Sequence, residues 1–145
     1  MNLILLVMRI FLGAVFIYSG WGKLIAPIEN FIAAIEGYHF LKQPFVSIVA
    51  FLLPWLELIF GTFLVLGYLT RASAAFLGAF LAVFIFLLSR GLMLHLPISE
   101  CGCFGSGIVL GPWQAILLDS GLLAVSLVMM CSPPRLLSLD KKLHQ

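Results

Sequence analysis

The chain has 145 residues, 63% hydrophobic and 10% charged, with a formal net charge of +2 and a mean hydropathy of +1.18. A soluble domain carries roughly 45–50% apolar and about 25% charged residues, and a chain this short has no interior large enough to bury so much apolar surface. An ordinary soluble globule, a disordered chain and a nucleic-acid binder are excluded; most of the surface must face lipid.

Four apolar stretches are long enough to cross a bilayer core, which takes about 20 helical residues. The first runs from about Leu3 to Gly22. Arg9 interrupts the place where the apolar region of a signal peptide would sit, and no small-residue cleavage site follows, so the stretch reads as a span. Arg9 is expected to snorkel to the interface, and Lys23 closes the span. In the link from Lys23 to Pro44, Ile28, Phe31, Ile32 and Ile35 recur at helical spacing, with Glu29, Asn30 and Glu36 opposite. This pattern predicts a short amphipathic helix over Ile28 to Tyr38, lying flat at the membrane interface.

The second span runs from about Phe45 to Leu69, with Glu57 near its middle and Pro54 breaking its hydrogen-bond ladder one turn earlier. Leu69-Thr70-Arg71 makes a tight turn into the third span, about Ala72 to Leu94, where Arg90 lies one turn before the end. The next link, His95 to Gly111, is rich in Gly and contains Cys101-Gly102-Cys103, so it is not a regular helix. The fourth span runs from about Pro112 to Cys131, with Asp119 about two turns in. With no repeat, low-complexity segment or linker, residues 1–145 read as one all-α domain. Its expected form is an antiparallel four-helix integral membrane bundle with a short interfacial helix between the first two spans.

Charge placement gives an expected orientation. Arg9, Arg71, Arg135, Lys141 and Lys142 fall on one side, and Lys23, Lys42 and Arg90 on the other, five against three. By the positive-inside rule both termini are cytoplasmic. Lys23 and Arg90 read as bundle residues rather than loop charges, which widens the margin. The Cys-containing link then lies outside the inner membrane of a bacterial cell, in a compartment that permits disulfides.

Charged groups inside apolar spans are costly and ask for a reason. Lys23, Arg90 and Asp119 are expected in the outer part of the bundle, with Glu57 deeper by about 10 Å at 1.5 Å per residue. They either form ion pairs that fix the helix register or line a polar pocket for proton transfer or quinone binding, and neither role excludes the other. His39 and His95 read as interfacial; two distant His without a carboxylate cluster make a poor metal site, and none is expected. Trp21, Trp55 and Trp113 read as interfacial anchors.

Cys101 and Cys103 carry the clearest chemical signal. One intervening residue lets the sulfurs meet, but the small ring is strained and so easily reduced. Gly102 relieves part of that strain through its backbone freedom. Easy reduction suits an electron relay better than a structural staple. A structural disulfide, half of a metal site shared with a partner, and inert thiols stand as alternatives. Cys131 lies about 28 Å across the bilayer from this link at helical rise and reads as a plain apolar residue.

Arg9, Phe16, Gly20 and Lys23, with Pro54-Trp55-Leu56-Glu57, Gly61, Gly67 and Arg90-Gly91, resemble the pattern of the DoxX/MauE membrane proteins. Cys101-Gly102-Cys103-Phe104-Gly105 followed by Asp119 points to the MauE branch. The resemblance covers nearly the whole chain. It implies a four-helix bundle tied to thiol redox chemistry. MauE is linked to disulfide formation in methylamine dehydrogenase beside a thioredoxin-like partner, and DoxX relatives to quinone-coupled thiosulfate oxidation. Ser132 to Gln145 carries no thioredoxin-like domain, so such a partner would be a separate chain.

Two functional readings follow. In the first, Cys101 and Cys103 cycle between dithiol and disulfide with a periplasmic thioredoxin-like protein. Lys23 or Arg90 lowers a thiol pKa, Glu57 or Asp119 accepts protons, and a membrane quinone carries the electrons, since no flavin or nucleotide motif is visible. As an enzyme this would be a thiol–disulfide oxidoreductase. In the second, the chain is a non-catalytic subunit or assembly factor of a redox complex, the Cys pair is a structural clip and the charges only hold helices together.

The orientation is open to a direct check. A membrane-impermeant maleimide added to reduced whole cells should label Cys101 or Cys103 and spare Cys131; labelling confined to Cys131 would reverse the topology.

Overall fold

The computed structural model describes residues 2–37, 42–94 and 111–132. His39, His95, Cys101, Cys103 and the tail beyond Ser132 lie outside the described residues. Among the described residues the regular elements are five helices: α1 (Asn2–Ile25), α2 (Ile28–Gly37), α3 (Phe45–Leu66), α4 (Thr70–Met93) and α5 (Pro112–Cys131). Helices α1, α3, α4 and α5 are each long and apolar enough to cross a membrane. The chain is an all-α four-helix membrane bundle, as its composition requires.

Most helix ends fall close to expectation, and two differ for local reasons. Helix α1 runs on past Gly22 to Ile25 before Pro27 interrupts the helical path. Lys23 is therefore a helical residue that points into the bundle. Helix α3 stops at Leu66 because Gly67 takes a left-handed conformation, φ 72°. The Gly67 N–H then bonds the Leu64 carbonyl, and the Tyr68 N–H bonds the Phe63 carbonyl at 2.9 Å. The hairpin between α3 and α4 is thus Gly67-Tyr68-Leu69 rather than Leu69-Thr70-Arg71, and it returns α4 alongside α3.

The packing closes a ring. Helix α1 packs most heavily on α3 and α4 on α5, while the α3–α4 and α1–α5 contacts complete the circuit. Helix α2 leans on α3 and, more lightly, on α1. Leu12, Phe16, Leu64, Leu77, Leu81 and Leu122 form the shared core, with Phe60 stacked on Phe76 across α3 and α4 at 4.2 Å.

The distribution of polarity is that of a protein in lipid. Leu3, Val7, Phe11, Tyr18 and Trp21 of α1 are exposed, whereas Arg9, Ser19 and Lys23 of the same helix are buried. Glu57, Thr70, Ser73, Asp119 and Ser126 are buried as well. A lipid-facing rim has no water to solvate such groups, so they turn inward. The buried Ser126 hydroxyl, for example, donates to the Ala74 carbonyl at 2.6 Å and ties α5 to α4.

Close backbone approach makes the α1–α3 contact. A Cβ added at Gly61 would sit 3.0 Å from the Gly13 carbonyl oxygen, and one at Gly13 only 2.7 Å from the Gly61 carbonyl oxygen. Backbone cannot yield as a side chain can, so only glycine fits. Small residues of this kind let membrane helices gain packing energy where lipid gives no hydrophobic drive between them. Gly61→Ala should therefore lower the unfolding midpoint in a denaturing-detergent titration by the equivalent of about 1–3 kcal/mol. Gly121→Ala, where an added Cβ meets nothing within 4 Å, should leave the midpoint unchanged or raise it slightly.

Candidate functional site

The buried face of α1 is built on a three–four spacing: Arg9, Leu12, Phe16, Ser19 and Lys23 fall on one stripe. At one end of this stripe Lys23 meets Glu57 of α3. The Lys23 ammonium lies 2.6 Å from Glu57 Oε1 and 2.9 Å from Oε2, and both side chains are almost wholly buried. Ser19, one turn before Lys23, accepts a hydrogen bond from the ammonium at 3.0 Å and donates to Glu57 Oε2 at 3.1 Å. The expected depth gap between Lys23 and Glu57 is closed completely.

Local packing explains how. Gly20 lies against the α3 backbone where Pro54 interrupts its ladder; an added Cβ would stand 2.8 Å from the Pro54 carbonyl oxygen and 3.2 Å from Glu57 Cβ. The absent side chain lets α1 and α3 approach at the level of the pair. Phe31 of α2 and Phe80 of α4 then cover the ammonium, with ring centroids 5.3 and 6.0 Å from Lys23 Nζ. Both rings lie with the ammonium over them, so their negative faces meet a buried cation, which is favourable.

Asp119 of α5 is buried on the other side of the same small space. A cavity of about 20 Å³ is bordered by Ser19, Lys23, Glu57, Asp119, Phe16 and Phe80. That is room for about one water molecule. The Lys23 and Glu57 charges both act on Asp119. The cavity is thus a water-sized meeting point of a lysine, a serine and two carboxylates contributed by three helices.

Of the residues singled out from the sequence, Lys23, Glu57 and Asp119 come together. Arg90 does not join them: it is exposed near the C-terminal end of α4. Cys101 and Cys103 lie outside the described residues. Arg9 departs from expectation. It is buried, 1% exposed, and its Nη2 reaches the Val65 carbonyl at 3.5 Å, where the last turn of α3 presents its negative end. It is a second polar tie between α1 and α3 rather than a snorkelling side chain. Ser19 escaped the sequence reading, although its position four residues before Lys23 on the same stripe was the available signal.

Breaking a buried ion pair by removing one partner leaves an uncompensated charge and costs about 3–5 kcal/mol in proteins. Glu57→Gln should accordingly lower the unfolding midpoint in a denaturing-detergent titration, since Glu57 meets the ammonium through both carboxylate oxygens. An unchanged midpoint would deny Glu57 that role.

Residues 1–132 match the family model described as Methylamine utilisation protein MauE. No curated protein and no solved structure gives a match.

Proposed function

Because the chain belongs to the family of methylamine utilisation protein MauE, we propose that this methylamine-utilisation-related membrane protein works in extracytoplasmic thiol–disulfide redox chemistry, through Cys101 and Cys103. The observation that carries the reading is the Cys101-Gly102-Cys103 string on the link between α4 and α5. The helix ends that this link joins, Met93 of α4 and Pro112 of α5, belong to the end of the bundle where Lys23 closes α1.

The chemistry balances with a quinone as carrier. The Cys101 and Cys103 dithiol gives up two electrons and two protons and becomes a disulfide; the quinone takes them and becomes a quinol. The disulfide then oxidises the dithiol of a thioredoxin-like partner by exchange, and the cycle restarts. Maturation of methylamine dehydrogenase, whose small subunit needs disulfides, is the pathway that the family name and the earlier resemblance suggest. Glu57 and Asp119 are the carboxylates available for proton handling, and the chain's orientation would place the Cys pair in the periplasm.

A second reading draws on the same ion pair. Lys23, Ser19 and Glu57 satisfy one another inside the bundle, which also suits a non-catalytic subunit or assembly factor whose charges only fix helix register. Reducibility of the Cys pair separates the two readings.

Equilibrating the purified protein against a graded thiol buffer and trapping free Cys with a mass tag measures that reducibility. A relay should show a midpoint well above about −300 mV, the region below which structural disulfides typically lie. Cys101→Ser and Cys103→Ser should each abolish partner oxidation. A pair that stays closed in strong reductant, or two Cys that never pair, would leave the assembly-factor reading in its place.

A further inference from the structure

An apolar groove of about 380 Å³ lies between α2, α3 and α4. One wall is a stripe of α4: Phe76, Ala79, Phe80, Val83, Phe84 and Leu87 recur at a three–four spacing and so share one face of that helix. Phe31 and Ile35 of α2 and Val49 and Leu53 of α3 complete the lining. All of these side chains are hydrocarbon, so they offer a polar head nothing to bind, and water finds no partner among them. The groove stands open to the bilayer. Helix α2 leans on α3 and α1 and leaves a gap to α4, and Phe76 and Val83 on the α4 wall are exposed.

Shape decides what fills it. From Phe76 to Leu87, at 1.5 Å per residue, the stripe runs about 16 Å, about half of a 30 Å hydrocarbon core. Spread over that length, 380 Å³ leaves a mean cross-section of about 25 Å², a slot about 5–6 Å wide. A helix with its side chains is about 10–12 Å across and does not enter. A single file of methylene carbons, packing at about 3.5–4.0 Å from its neighbours, does. A prenyl tail carries a methyl branch on every repeat and is the poorer fit. A long, narrow and wholly apolar slot that faces lipid is the complement of a straight hydrocarbon chain.

We propose that this groove binds one acyl chain of a bilayer phospholipid, laid along the α4 stripe from Phe76 to Leu87. What the chain does follows from the walls it touches. Phe31 and Phe80 line the groove and also cover the Lys23 ammonium, with ring centroids at 5.3 and 6.0 Å. A bound chain packs behind both rings and holds them on the cation through dispersion contacts that an empty slot would forfeit. The lipid thus supports the cover of the Lys23–Glu57 pair. Nothing in this depends on the chemistry of Cys101 and Cys103.

The test places the full chain in phosphatidylglycerol vesicles that contain a small share of the same lipid with a photoactivatable diazirine midway along one acyl chain. After illumination, peptide mass spectrometry reads where the chain attaches. Attachment should concentrate on the stripe from Phe76 to Leu87, several-fold above Leu117 and Val128, which are exposed on α5 and report lipid in passing contact. Ala79→Trp and Val83→Trp, which fill the slot from its open side, should each bring the stripe down to the α5 level. Phe86→Trp, exposed on α4 outside the groove, should change nothing. Stripping phospholipid from the detergent-solubilised protein should lower the unfolding midpoint of the parent more than that of Ala79→Trp. Equal attachment to α4 and α5 in the parent would reduce the groove to ordinary lipid contact and overturn the proposal, whether or not the variants fold. So would a stripe labelled less than α5, which would mean that protein covers it. Displacement of the probe by an equal amount of a prenylated quinone would overturn it as well, by assigning the slot to a prenyl chain.

Discussion

The arrangement of this bundle depends on a lysine and a glutamate that have no water to turn to. In a bilayer core each charge alone is costly, and each becomes tolerable only with the other in contact and with the remaining hydrogen-bonding capacity filled. Lys23 and Glu57 meet that condition with one serine and no bulk solvent. The consequence is geometric. The ammonium must lie at the depth of a carboxylate in the middle of α3, so α1 is fixed against α3 in both height and rotation. Arg9 repeats the constraint at the opposite end through the Val65 carbonyl.

Glycine makes that constraint satisfiable. Gly13 and Gly61 face each other across the α1–α3 contact, and Gly20 lies on the α3 backbone beside Pro54. Larger residues at any of the three would separate the helices and lengthen the ion pair. Dispersion between close backbones and electrostatics between buried charges thus favour the same register. The other pair of helices, α4 and α5, supplies the aromatic cover and the second carboxylate. Phe80 belongs to every part of the site: it packs edge-on against Phe16, covers Lys23 and separates the apolar groove from the polar cavity.

Much of the fold was legible in the sequence because lipid imposes simple rules. Length and apolarity marked four spans, the Ile28, Phe31, Ile32 and Ile35 spacing marked α2, and the helix ends moved by a few residues only where Gly67 or Lys23 intervened. That Lys23, Glu57 and Asp119 belong to one site was legible as well, since buried charges require partners. Which partner each would take was not. Helix rotation decides this, and it put Ser19 into the site, turned Arg9 inward and left Arg90 outside. The groove was invisible for a related reason: Phe31, Leu53 and Phe80 come from three helices, and no spacing along the chain connects them.

The most direct test of this arrangement is a double-mutant cycle on the ion pair, with Lys23→Met, Glu57→Leu and the combined variant unfolded in the same denaturing detergent. The single substitutions each leave a buried charge without its contact partner, whereas the double variant removes both members of the pair. The expected result is a combined cost smaller than the sum of the single costs by more than about 1 kcal/mol, a coupling typical of residues in contact. Additive costs, within about 0.5 kcal/mol, would mean that Lys23 and Glu57 do not hold each other and would contradict the register described for α1 and α3.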